Sequence, residues 1–142
     1  MPIAATLPLL QQQLAGVMRL KLAGNPDTAA ALLTAALSTS VATGLLTTSV
    51  PPIPTIPTGA PLALNTFKGA FNMGDAANVT ASAQKIADGV KAICPIVPPT
   101  GYALLFTQLQ QAMNLKLAGT PEAFAALAAA AIIAYYTAGL VV

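Results

Sequence analysis

Leu20-Lys21-Leu22-Ala23-Gly24-Asn25-Pro26-Asp27 returns 95 positions later as Leu115-Lys116-Leu117-Ala118-Gly119-Thr120-Pro121-Glu122. Working outward from this core, residues 9–45 align with 104–140, and 18 of the 37 pairs are identical. Roughly a tenth would be expected by chance in so Ala- and Leu-rich a chain, so the unit is a true duplication. The octapeptide also states what the unit is. Gly24 closes one helix in the left-handed conformation that only glycine adopts without cost. Asn25 is a cap for the next helix, Pro26 suits its first turn, and Asp27 faces the positive end of the helix dipole. The second copy repeats the logic with a different cap, Thr120, and a different acid, Glu122. The reading is a helical hairpin with almost no loop, used at both ends of a single domain spanning residues 1–142.

The flanking patterns extend the hairpins. Ile3, Leu7, Leu10, Leu14 and Val17 recur at helical spacing and predict a first helix over residues 5–23. An Ala-rich second helix is expected from Pro26 to Thr43, stopping at Gly44, with small side chains that let helices approach closely. Val50 to Pro61 carries five prolines in twelve positions, which predicts an extended strap without helix. A smaller central hairpin follows, with a short helix over Leu64–Met73, stop and cap signals at Gly74-Asp75, and a second helix from Val79. In that helix Ala83, Ile86, Val90 and Ile93 form the cleanest apolar stripe of the chain, while Gln84, Lys85, Asp88 and Lys91 lie off it. Cys94 to Gly101 forms a second Pro-rich strap. The expected fold class is therefore all-α: duplicated first and last hairpins, related by a pseudo-two-fold, flank a smaller central hairpin, and Pro-rich extended segments join them.

Composition restricts function. Charged residues make up 7% of the 142-residue chain and apolar ones 56%, whereas about 25% charged is ordinary for a soluble domain. A surface this poor in charge favours association, so much of it is expected to be covered by other subunits or by lipid. The net charge of +2 is scattered over Arg19, Lys21, Lys68, Lys85, Lys91 and Lys116, which makes no nucleic-acid footprint. The amino terminus shows no secretory signal pattern. Residues 123–142 carry no charge and meet the minimum length for a bilayer span. Ala contributes little to insertion, and the equivalent copy is rich in Thr and Ser, so the reading favours a buried helix over a membrane span.

Catalytic chemistry finds little material. The chain has no histidine, which removes the commonest general base, metal ligand and neutral-pH switch together. Asp27, Asp75, Asp88, Glu122 and Cys94 are not spaced as a metal motif. Asp27 and Glu122 are read as helix-starting acids rather than a carboxylate pair, and Cys94, between Ile93 and Pro95, as a small hydrophobe rather than a nucleophile. Lys21 and Lys116 suit helix carboxyl ends. No catalytic, cofactor or metal residue is assigned. Instead the straps and the amide-rich helix faces are read as subunit contacts, with Val50, Ile53, Ile56, Ile96, Val97, Gln108 and Gln111 as the candidates. Uncharged amides enter an interface at lower cost than ions.

Paired Ala-rich helices, scarce charge and the strap Thr47-Thr48-Ser49-Val50-Pro51-Pro52-Ile53-Pro54 together resemble small structural proteins of tailed-bacteriophage virions. Such proteins occur in many copies in tails, baseplates or head decoration. The resemblance covers most of the chain in style and transfers no functional residue. It implies a non-enzymatic, self-associating subunit without cofactors, with itself and other structural subunits as partners, located in a virion and in the cytoplasm before assembly. The alternative is a small membrane-embedded or membrane-active protein, such as a phage lysis protein, using residues 123–142 as a span. A carrier with an apolar cavity between hairpins is a third expectation.

Overall fold

The computed structural model describes residues 3–22, 24–47, 51–72, 79–118, 121–139 and 141–142. It is all-α apart from a two-residue ladder, and the hairpin order is the one expected: α1 (Leu7–Leu22) with α2 (Pro26–Ala42), α3 (Ala60–Phe71) with α4 (Val79–Ile93), and α5 (Tyr102–Ala118) with α6 (Pro121–Ala138). A 3-10 turn, Ile3–Thr6, precedes α1, and a second, Pro99–Gly101, leads into α5.

The first hairpin turn works as its sequence dictates. Gly24 has φ +89°, its N–H donates to the Lys21 carbonyl (3.1 Å), and the Asn25 N–H reaches back to Leu20 (2.9 Å). These two bonds satisfy carbonyls that the end of α1 would otherwise leave orphaned. Asn25 departs from expectation, because its side chain makes no capping hydrogen bond; its backbone carbonyl accepts from Ala29 N–H instead. Pro26 alone then presets the first turn. Gly119, Thr120, Gly74 and Asp75, also read as turn and cap residues, lie outside the described residues.

Each helix packs against its two neighbours in sequence, and α6 returns to pack on α1, so the six form a closed ring. Cross-links fix the directions. Arg19 near the end of α1 pairs with Glu122 at the start of α6, and Asn72 after α3 donates to Asp27 at the start of α2. Neighbours are therefore antiparallel all round. The turn end gathers the ends of α1, α3 and α5 and the starts of α2, α4 and α6; the strap end gathers the starts of α1, α3 and α5 and the described segments that follow α2, α4 and α6. The second helix of each hairpin meets the first helix of the next, so the hairpins follow one another head to tail. This corrects the two-fold expectation: cyclic succession around a central axis is how three-fold units are arranged, with the smaller hairpin taking the third place.

The axis is filled. Leu14, Val17 and Met18 of α1 meet Leu33, Phe71, Ile86, Leu109, Phe124 and Ile132 from the other five helices around a void of only ≈ 10 Å³. A space that size holds at most one water molecule. Nearer the strap end Tyr136 crosses the ring, its hydroxyl donating to the Val90 carbonyl of α4 (3.0 Å), and its ring meets that of Tyr135 edge to face at 5.2 Å.

α6 is long and apolar enough to cross a membrane, and half of it is buried in the fold. Phe124, Ile132, Ile133, Tyr135 and Tyr136 face inward, while Ala126, Ala130 and Ala134 form the exposed stripe. The large apolar side chains are thus occupied by the core of this chain.

The first strap is shorter and more anchored than its prolines suggest. Ile53–Pro54 pairs antiparallel with Leu45–Leu46, and Leu46 also bridges Val141, its equivalent in the repeat. Thr55 is the anchor: fully buried, it donates from Oγ1 to the Val41 carbonyl (2.6 Å) and from its N–H to Gly44 (3.1 Å). Pro61, expected in the strap, instead lies in the first turn of α3, where its missing N–H costs nothing. Val50 lies outside the described residues. Thr55→Val should lower unfolding free energy by about 1–2 kcal/mol, since a buried carbonyl loses its hydroxyl partner. Urea denaturation of wild type and variant measures it, and an unchanged midpoint would mean that the strap is held elsewhere.

Candidate functional site

The folded ring separates charge from exposed grease. Among the described residues, the large apolar side chains that remain exposed are Leu9, Leu45, Ile53, Ile56, Leu62, Ile96, Leu104 and Val142. Every one sits on the strap half, at the start of α1, α3 or α5 or in a connecting segment. Leu9 and Leu104 are repeat equivalents. Of the charged side chains described, Arg19, Lys21, Asp27, Lys68, Lys85 and Glu122 lie on the turn half, and Asp88 and Lys91 alone on the strap half. Scattered exposed apolar residues are normal, but eight confined to one half of so small a molecule mark an interaction surface.

Within this surface lies a pocket of ≈ 410 Å³, between the start of α3, the end of α4 and the second strap. Leu62, Ala92, Pro95, Val97 and Pro99 give it an apolar lining, and Gly59, Asp88 and Lys91 complete it. Gly59 is needed here because a Cβ would strike the Ala92 carbonyl of α4. Its N–H donates to the Ile93 carbonyl (3.0 Å), drawing the strap onto the helix end. Asp88 and Lys91 stand one turn apart on α4, and both converge on Tyr102 at the start of α5. The tyrosine hydroxyl donates to the Asp88 carboxylate, while the Lys91 ammonium lies 5.4 Å from the ring centroid, a cation–π distance.

This trio holds α4 to α5 and sets the pocket wall. Burial first, then the hydrogen bond to Asp88 and its negative charge, push the Tyr102 phenol up to about 12. At neutral pH Tyr102 is therefore a donor and not a base. Cys94 behind the wall is buried, and desolvation pushes its thiol up against the opposing effect of nearby backbone N–H groups at Ile96, Val97 and Ile56. A thiol raised in this way is protonated at neutral pH. Among the described residues no group of three His, Cys, Asp or Glu side chains could hold a metal ion.

The expected contact residues separate into two sets. Ile53, Ile56 and Ile96 are exposed, and so is Gln111. Val97 is 2% exposed: its side chain packs into this chain's own core behind the pocket that it helps to line. Gln108 is half-buried, and its Oε1 is enclosed without a hydrogen-bond partner, as is that of its repeat equivalent Gln13. Gln11 and Gln12 line a separate shallow groove of ≈ 310 Å³ between α1 and α6, beside the exposed Arg19–Glu122 pair. Residue patterns missed Leu62, Tyr102 and the pairing of Asp88 with Lys91. A signal was present, since Asp88 and Lys91 are opposite charges one turn apart at the end of α4, directly ahead of a Pro-rich segment.

No protein-family model, curated protein sequence or solved structure matches the chain.

Proposed function

We propose that the chain is a non-enzymatic structural subunit that associates through its strap half into a homo-oligomer or larger particle, of the kind that builds phage tails, baseplates or head decoration. The observation that carries this reading is the confinement of all eight exposed large apolar side chains to the half bearing only two described charges. Covering them releases water from apolar surface at about 25 cal/mol per Å². The strap that would meet a partner is already fixed by Thr55 and its prolines, so docking orders little additional chain. Exposed aromatic residues, which favour a membrane interface, are absent from that group of eight. Sedimentation velocity of the purified chain in lipid-free buffer is the test. Particles larger than a monomer are expected, and a monodisperse monomer at high concentration would reject the reading.

A membrane role is the second reading, and the length and hydropathy of α6 favour it. Insertion would require α6 to leave the ring and surrender the burial of Phe124, Ile132, Tyr135 and Tyr136, exchanging a packed core for lipid. Carbonate extraction of expressing cells separates the readings: an assembly subunit leaves the membrane pellet, and a spanning protein stays.

A further inference from the structure

We infer that a second copy of this chain docks on the pocket beside α4 about a two-fold axis, each copy placing Ile96 in the pocket of the other. The proposal rests on the assembly reading and names its contact. Ile96 is 51% exposed and stands between Pro95 and Val97, two residues of the pocket wall. A projecting side chain thus adjoins the apolar recess on one face. That is the arrangement a two-fold interface uses, because residue i of each copy meets residue j of the other. Leu62, 63% exposed on the opposite rim, widens the apolar contact.

Charge selects the same occupant. The face carries one acid and one base, Asp88 and Lys91, on a single side of α4. Antiparallel apposition of two α4 ends sets Asp88 against the partner's Lys91 and Lys91 against the partner's Asp88. The face is neutral and complementary to itself. A surface built for an anionic partner, whether lipid or nucleic acid, would carry an excess of base.

The test uses the full chain in lipid-free buffer, with mass read by light scattering across a concentration series and helicity by circular dichroism. Ile96→Asp should keep its helicity and raise the dimer dissociation constant about thirtyfold, as loss of a central anchor does. Asp88→Lys and Lys91→Asp should each weaken self-association, because like charges then face one another across the axis. Mixing these two variants should restore a heterodimer, since 88 and 91 of opposite sign are again opposed; a merely structural role for Asp88 on Tyr102 gives no such rescue. Oligomers unaffected by all three substitutions, or weakened without rescue on mixing, overturn the two-fold contact while leaving assembly through another surface in place. A wild-type chain that is monomeric throughout overturns the assembly reading itself and this contact with it.

Discussion

Gly89→Ala is expected to destabilise the wild-type chain and to stabilise a variant in which Phe67 has been removed. Gly89 lies within α4, where its missing Cβ leaves the space that the Phe67 ring of α3 occupies. A Cβ built there would be 2.7 Å from Phe67 Cζ and closer still to Cε1. Phe67 is fully buried, so its ring has nowhere free to go. Overpacking of this kind costs about 1–3 kcal/mol, against a gain of about 1 kcal/mol from replacing Gly by Ala in a helix interior. The clash prevails, and the net effect is a loss. Phe67→Ala alone should cost about 3–5 kcal/mol, as truncation of a buried aromatic does. On that background the clash is gone and the helix gain remains, so the sign of the Gly89 substitution reverses. Chemical denaturation of the four members of the cycle measures it, with Phe67→Leu as a milder background if the alanine variant does not fold. Additive effects would show that α3 and α4 do not interlock at this point.

The same close approach recurs around the ring and explains its composition. Ser82, with its hydroxyl turned to the Ala70 carbonyl at 3.4 Å, and Ala63, Ala83 and Ala87 keep the α3–α4 seam narrow. Ala29, Ala30 and Ala36 of α2 and Ala125, Ala128 and Ala129 of α6 are buried in the same way. Small residues are thus common among the buried positions of these helices, while Met18, Phe71 and Phe124 are among the larger side chains at the centre.

How far residue patterns reach depends on the range of the forces involved. The hairpin turn at Gly24-Asn25-Pro26 is legible because backbone chemistry within a few residues decides it. The α4 stripe of Ala83, Ile86, Val90 and Ile93 is legible because one periodicity controls it, and all four are buried. Ring closure is not, since the α1–α6 contact joins residues about a hundred positions apart, and the Arg19–Glu122 pair has no local signature. The fate of Val97 against Ile96 is equally hidden: adjacent residues of one Pro-rich segment take opposite sides, and only the position of α6 behind them decides which is buried. The exposure of Leu9, Leu62 and Leu104 is hidden too, because composition and spacing cannot tell an inward face from a face awaiting a partner. The pocket was invisible for a further reason. Its acid, base and phenol come from α4 and α5, and each alone reads as part of a solvated face.

Stability should be insensitive to pH around neutrality and fall steeply above pH 10, because the groups buried near the strap end are phenols and a thiol. Tyr136, wholly enclosed, has its phenol pushed well above its ordinary value of 10, first by burial and then by neighbouring Tyr135 and Cys94. Burial, with Cys94 adding to it, pushes Tyr135 up to about 12. The sign follows from linkage. A phenol that ionises at 10 when unfolded and near 12 when folded contributes its full stabilisation below pH 10 and loses it progressively as pH rises toward 12. For Tyr135 the penalty of ionising in the folded state, and so the loss at alkaline pH, is on the order of 2–3 kcal/mol, and Tyr136 and Cys94 act in the same direction. With no histidine in the chain, no group of ordinary pKa near 6.5 opposes this on the neutral side. Unfolding free energies from denaturant titrations at pH 7, 9, 10, 11 and 12 should therefore show a plateau followed by a fall. Two variants separate the contributors. Tyr136→Phe gives up the bond to Val90 and should cost about 1 kcal/mol at neutral pH while flattening the alkaline fall. Tyr135, whose hydroxyl is buried without a partner, should instead become neutral or slightly stabilising on replacement by Phe, because an unsatisfied polar group is removed. A plateau that extends unchanged to pH 12 would mean that water reaches both phenols, and the filled axis would have to be redrawn.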